Sequence, residues 1–413
     1  MQPLPRYRIY SSAADYWAIA REIATGRWSQ GDDCERLEQA VRTRHDVPHA
    51  LCIAKARVGI YVTIKALIEP GQKVILSPYT ISDVVNMVLC AGGVPVFADL
   101  EPDTCNVDAA AVERLIDDQT GAVLITHLHG LACDMDRIPA ICRERGVPLV
   151  EDAAQAFGAR FAGKALGTFG AAGIYSYGMY KNVNSFFGGM VVGNDADLMS
   201  RLRAEVEGFP YQEMGYYLSK VREALTTDLA TIPLIFKSLT YRVFRYGFLN
   251  DVGLLNSQVS VDSNPESKTE LPESYLRRLT PLQARLVIPQ LDDVEAAIRA
   301  RVAYAQRYHA GLSGIAGLRL PPLRTDGSHT YTYFPIQVDD RQSLLKHMMR
   351  ERCDVAAQHL KNCADLPCFA DFARDCPNAR RSADSVVLLP TYPRYSEADV
   401  TRNIRVVREY FGA

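Results

Sequence analysis

Two side chains of opposite charge stand at the ends of apolar runs in mid-chain, and their chemistry is complementary. The run Val147-Pro148-Leu149-Val150 leads straight into Glu151 and Asp152. A buried strand that ends in acids is the pattern of a parallel strand whose carboxyl end carries groups for a ligand. The next run, residues 171–177, ends in a turn that presents Lys181, followed by Asn182, Ser185 and the pair Gly188-Gly189. An amine and a carboxylate on neighbouring strand ends meet the two demands of pyridoxal phosphate. The amine holds the aldehyde as a Schiff base, and the carboxylate keeps the ring nitrogen protonated so that it draws in electrons. Taken singly, each residue has a plainer reading: Asp152 suits the cap of a helix over residues 153–158, and Lys181 suits solvent.

The segments EDAAQAFGA, GTFG, SYGMYKN and FFGG, in that order, resemble the patterns EDAAQAHGA, G-S-F-G, S-F-x-x-x-K-N and G-x-G-G of the DegT/DnrJ/EryC1/StrS sugar aminotransferases, fold-type I pyridoxal phosphate enzymes. The likeness continues through PGQKVILSPYT, VPVFADLEPDTCNVD, HLHGLACDMDRI, SHTYTYFPIQV and LLPTYPRYSEADV. It implies an α/β fold, with a large domain on a mainly parallel mixed sheet and a smaller C-terminal α+β domain. It also implies roles by position. Asp152 would pair with the pyridinium nitrogen, Gln155 would face the ring hydroxyl, Ser176 would bind the phosphate, and Lys181 would carry the cofactor and shuttle the proton. Asn182 and Ala56 fall in the same cofactor-binding segments. Arg278, His329 and His359 match positions near the substrate. The reaction implied is transfer of an amino group from a donor, glutamate in the family, to a keto sugar, often nucleotide-linked, by a homodimer.

Three positions depart from the family pattern. Where relatives carry S-G-T-A-A-L around the cofactor phosphate, this chain reads Lys55-Ala56-Arg57-Val58-Gly59-Ile60. The hydroxyl is missing, and the fork of Arg57 is suited to replace it on the phosphate or to meet a substrate anion. The aromatic that stacks on the ring falls near Ile81, which leaves Tyr79 or an aliphatic contact for that task. At N-Y-R-M, where the asparagine reaches the partner subunit's phosphate, the chain has Leu276-Arg277-Arg278-Leu279. Two other readings of the scaffold stay open: a lyase or dehydratase, a subtype in which histidine replaces the lysine and against which Lys181 argues, and a binding protein that has kept the fold.

The elements that must hold these residues are legible as alternation. Apolar runs at 50–54, 74–78, 94–100 and 122–127 are separated by helix-length stretches, which predicts βαβ units on a parallel sheet covered on both faces. The large domain is placed at 1–300 and the small one at 301–413. An insertion of about 207–270 interrupts the family pattern. Its part from 229 to 255 is apolar and aromatic with Lys237, Arg242 and Arg245 interspersed, and helical spacing puts Phe236, Leu239, Val243 and Tyr246 on one face. Charges break every run long enough to span a bilayer. The segment therefore reads as a helical pair packed on the domain or on a second subunit, as a peripheral contact with the inner face of a membrane, or as a groove for a lipid-linked or otherwise apolar substrate.

Composition narrows the partners. The 413 residues carry 46 basic against 48 acidic side chains, so no net field favours nucleic acid. The ten cysteines include no C-x-x-C pair, and the start lacks the basic and apolar regions of a signal peptide; both fit a reducing cytoplasm. His127, His129 and Cys133 have no fourth ligand at suitable spacing, and no metal is expected.

Overall fold

The computed structural model describes residues 3–9, 11–252 and 264–413. Seven strands form the main sheet: β1 (His49–Ile53), β2 (Lys73–Leu76), β3 (Val94–Phe97), β4 (Thr120–Thr126), β5 (Leu149–Asp152), β6 (Ala172–Ser176) and β7 (Gly189–Gly193). Their spatial order is β1-β7-β6-β5-β4-β2-β3. The five from β2 to β6 run parallel, and β7 lies antiparallel between β6 and β1. Every residue of β4 and β5 is buried, because helices cover both faces. Apolar side chains therefore fill each strand without alternation. The order places the ends of β5 and β6 side by side, with Asp152 in register with Ile174.

The sequence signals locate helix ends well. Asp195 caps the helix Ala196–Glu207 by accepting from the N–H groups of Asp197 and Leu198, and Gly208 closes it. Pro289 falls in a 3-10 stretch, Ile288–Asp293, that separates Pro281–Val287 from Val294–Leu312. That last helix runs straight through the expected boundary at 300/301. The C-terminal part holds an antiparallel sheet of β8 (Leu318–Arg319), β9 (Phe334–Val338), β10 (Ala356–Ala357) and β11 (Val386–Leu389), with Arg341–Arg350 and Glu397–Phe411 packed on it.

The middle of the insertion is helical: Met214–Ala230, a short turn at Pro233–Ile235, a π-helical turn at Phe236–Thr240, and Tyr241–Leu249. The expectations for 253–263 lie outside the described residues. Tyr217 and Ala224 pack with Met179, Phe186 and Phe187 beside the Lys181 turn, and the Tyr241 hydroxyl donates to the Met349 carbonyl of the C-terminal part at 2.6 Å. The expected apolar face is corrected here. Phe236 is buried together with Tyr241, while Leu239, Val243 and Tyr246 are exposed. A π turn holds more residues than an α turn, so it rotates Tyr241 round to the side of Phe236 and carries the other three outward.

Candidate active site

Alternation along β5 sends its two terminal acids to opposite sides. Glu151 is fully buried and accepts from the N–H groups of Gly167 (2.8 Å), Phe169 (2.7 Å) and Gly170 (2.9 Å), and from His127 Nε2 at 3.1 Å. It pins the loop that enters β6. His127 Nδ1 accepts from the Cys133 N–H at 3.2 Å, so both ring nitrogens are engaged in structure. Among the described residues no group of three or more metal-ligating side chains gathers.

Asp152 faces the other way. Its Oδ1 accepts from the Ala154 N–H at 3.0 Å, and residues 153–158 form turns, so it caps an Asx turn and no helix. Burial raises its pKa above the ordinary carboxylate value, against the Ala154 N–H and the Lys181 charge, which lower it.

Beside it, β6 ends at Ser176, whose Oγ accepts from the Gly178 N–H at 3.2 Å. The chain turns, Lys181 N–H donates to the Gly178 carbonyl at 3.0 Å, and the Lys181 stem lies against Gly178. Burial lowers the pKa of Lys181; Asp152 opposes that shift and Arg57 reinforces it. Phe186, further along the turn, has a left-handed backbone (φ 71°) where the family pattern has glycine, and its buried ring stacks on Tyr16 at 6.2 Å.

Gly189, in register with Ser176, brings in the last wall. A Cβ on it would stand 2.5 Å from the Tyr175 carbonyl and 3.1 Å from the Ala56 N and Cα, so glycine is what lets the helix Ala56–Leu67 begin against the strand ends. Lys55, at its N-cap, makes no side-chain cap. Arg57 pairs with Asp83 and lies 3.4 Å from the Tyr275 hydroxyl, and Lys268 reaches the same carboxylate at 3.1 Å. Lys55 sits over the rings of Tyr275 (4.1 Å) and Tyr216 (4.9 Å). The insertion and its flank thus crowd cations around the start of this helix.

Of the remaining predicted residues, Gln155 adjoins the Asp152 turn, where its Oε1 accepts from the His129 N–H at 3.0 Å. Asn182 donates to the Phe157 carbonyl at 3.2 Å and ties the lysine turn to the β5–β6 connection; its Oδ1 is buried without a partner. Two assignments are corrected. Tyr79 is wholly buried in the core with its hydroxyl on the Ser382 carbonyl (3.3 Å), because its short strand pairs with Asn362. His329 is also fully buried, stacked on Tyr331 at 3.6 Å, and its Nε2 meets the His129 carbonyl at 3.2 Å. Burial lowers its pKa to about 3. His359 is exposed and adds to the burial that depresses His129. Arg278 stacks on Tyr211 at 4.3 Å with its Nε buried and unpartnered.

The donor set fits pyridoxal phosphate: a buried carboxylate, a desolvated amine, and a helix start let in by glycine. Comparison with known proteins agrees on the scaffold. The profile of the DegT/DnrJ/EryC1/StrS aminotransferase family matches residues 13–224 and 253–408. The chain belongs to that family. This aminotransferase is 26% identical over 403 residues to the spore coat polysaccharide biosynthesis protein SpsC of Bacillus subtilis, covering 95% of this chain and 92% of that one. Its structure is similar to that of DesV from S. venezuelae, solved in complex with a ketimine intermediate (TM-score 0.75, 25% identity, 97% and 95% covered). An aminotransferase from Psychrobacter cryohalolentis gives a TM-score of 0.78 at 20% identity, with 99% of each chain covered. The family match skips 225–252, which narrows the insertion to its apolar helices.

Sequence reasoning missed the wall over Lys181. A pocket there is lined by Arg6, Tyr7 and Arg8 from the start of the chain and by Arg301 and Tyr333. Only the alternation of basic and aromatic residues in PRYRIY hinted at it.

Proposed function

We propose that this aminotransferase moves the amino group of an amino-acid donor, glutamate by resemblance, to the ketone of a nucleotide-linked sugar, with pyridoxal phosphate carried by Lys181. The bound cofactor supplies an electron sink when the donor's α-carbon loses its proton. Lys181 takes that proton and returns it. Asp152 would provide the negative charge opposite the ring nitrogen, and Gln155 would face the ring hydroxyl. Ser176, the first N–H groups of the helix Ala56–Leu67 and Arg57 would take the phosphate. The observation that carries this reading is that Asp152 ends β5 while Lys181 lies in the turn that follows the neighbouring parallel strand β6. The sugar acceptor rests on the name of SpsC. The test is incubation with glutamate and a panel of nucleotide-linked keto sugars, read by mass. One acceptor should gain an amino group; loss of water without amination would assign a lyase, and no reaction across the panel overturns the proposal. The active unit is taken as a homodimer, which light scattering reads directly.

Arg57 carries a separate expectation. Arg57→Ala should weaken affinity for pyridoxal phosphate by about tenfold, the loss of one charge-assisted hydrogen bond, and leave affinity for pyridoxal unchanged. Equal affinities in the two proteins would remove Arg57 from the phosphate site.

The outward strip of the insertion is assigned to an anionic membrane surface. Leu229, Leu234, Leu239, Val243 and Tyr246 are exposed, Leu234 by 66%, and no acid occurs between Leu229 and Asn250. Lys237 and Arg242 make no ion pair among the described residues, and no helix among those residues is long and apolar enough to cross a membrane. Apolar side chains with unneutralised cations at their edge complement an anionic bilayer. The protein should sediment with anionic vesicles and much less with neutral ones, and Leu234→Glu with Leu239→Glu should release it. Recovery of the unaltered protein in the supernatant, or a change of oligomeric state in the variant with no vesicle binding, overturns this assignment.

A further inference from the structure

The C-terminal part holds a second cavity, of about 620 Å³, that shares no lining residue with the pocket over Lys181. One wall is a face of the helix Glu397–Phe411, where Ala398, Thr401, Arg402 and Arg405 recur at helical spacing. The other is the end of the helix Arg341–Arg350, which supplies Arg350 and Arg352, with Glu351 the only acid on the lining. Arg402 has its side chain 4% exposed and is held by Asp399 at 2.6 Å, and Arg405 pairs with Glu409. Arg350 and Arg352 make no ion pair among the described residues. The backbone singles out Arg352. The Cys353 N–H donates to the Met348 carbonyl (2.8 Å) and the Arg352 N–H to the Met349 carbonyl (3.4 Å), the two bonds of a Schellman turn, and Arg352 takes its left-handed position (φ 63°). Glycine fills that position without strain. An arginine there puts a guanidinium on the cavity at the expense of backbone ease.

We infer that this cavity is a binding site for an anion that carries phosphate groups. Four guanidinium groups from two helix segments offer donors from more than one direction, which suits the several oxygens of a phosphate better than the two of a carboxylate. The lining holds no aromatic ring, and its one apolar side chain is that of Ala398, so the charged portion of the ligand is what it can recognise. The volume falls within the roughly 300–1,000 Å³ of small-molecule sites and leaves room for more than one phosphate group. Two sources present such a group. The Tyr241 hydroxyl and the Arg245 Nε both donate to the Met349 carbonyl (2.6 and 3.2 Å), so the helix Tyr241–Leu249 abuts the residue that precedes Arg350. Exposed Val243 and Tyr246 belong to that same helix, and a bilayer under them would offer a lipid headgroup. A soluble diphosphate is the other source. Only the bilayer source depends on the membrane assignment of the insertion.

The probe is inorganic pyrophosphate, titrated by calorimetry at low ionic strength into the full-length protein loaded with pyridoxal phosphate. It should bind the parent, and Arg352→Gly should weaken that binding by about tenfold, the loss of one charge-assisted contact. Because glycine suits the left-handed turn, the same variant should melt, without pyrophosphate, at or above the temperature of the parent. Arg350→Gln, which has no ion pair to lose, should weaken binding by a similar factor. Sedimentation with phosphatidate vesicles identifies the source. A fall in Arg352→Gly together with the loss of pyrophosphate affinity assigns the headgroup; sedimentation that is absent or unchanged beside that loss assigns a soluble phosphate compound. Equal pyrophosphate affinity in the parent and both variants overturns the inference, since the phosphate then binds elsewhere, and so does a parent that takes up no pyrophosphate. A loss of affinity confined to Arg352→Gly and accompanied by a lower melting temperature overturns it as well, because the turn would then be a support only.

Discussion

Lys181→Ala is expected to cost about 10⁴-fold or more in amine transfer, since it removes both the covalent hold on the cofactor and the general acid–base. It should also abolish the visible absorbance of the lysine-bound cofactor while the fold persists, because the Lys181 turn is held by backbone bonds: Lys181 N–H to Gly178, Ser185 N–H to the Tyr177 carbonyl, and Tyr177 N–H to Gly188. The pH course is a finer test. Attack on an aldehyde needs the neutral amine, and burial, helped by the charge of Arg57, holds the pKa of Lys181 below its usual 10.5. Capture of cofactor by the unaltered protein should therefore quicken with pH and level off below the pH at which an ordinary lysine would. Retained colour or retained turnover in Lys181→Ala would end the assignment, and a plateau no lower than that of free lysine would remove the desolvation argument.

Which parts of this site could be read from residues alone follows from how each is built. Asp152, Ser176 and Lys181 sit at strand ends, and strands announce themselves by apolar runs, so order along the chain was enough to bring them to one edge of the sheet. Tyr79 was misread because its strand is only two residues long and takes its direction from Asn362, hundreds of residues away. The resemblance matched His329 to a position near the substrate; in the structure it is buried in a stack on Tyr331, a residue with a left-handed backbone that no local preference announces. The insertion's face came out rotated because one π turn changes the helical phase, and periodicity assumes a constant one. Arg8 and Arg301 were invisible for a different reason. They line one pocket, and the start of the chain is tied across the C-terminal part there by Arg6 and Asp354, a contact between residues 348 positions apart.

Asp152→Asn separates the electrostatic task of this residue from its structural one. The amide is isosteric and its Oδ1 can still accept from the Ala154 N–H, so the turn that positions Gln155 survives. What disappears is the negative charge opposite the ring nitrogen, and turnover should fall by about 10²–10³-fold, the scale of losing one preorganised electrostatic contact. Stability should move the other way. Because burial raises the pKa of Asp152 in the folded chain, the folded state binds its proton more tightly than the unfolded state, and stability is lost as pH rises through that interval. At neutral pH the ionised side chain is thus a cost that asparagine does not carry; without cofactor, the variant should melt at or above the parent, and the difference should vanish in acid. Lys181, deprived of the neighbour that raises its pKa, should capture cofactor with a pH plateau shifted still lower. Turnover within about threefold of the parent would contradict the role of Asp152 on the scale expected for such contacts. Joint collapse of turnover and melting temperature would show instead that its carboxylate is structural.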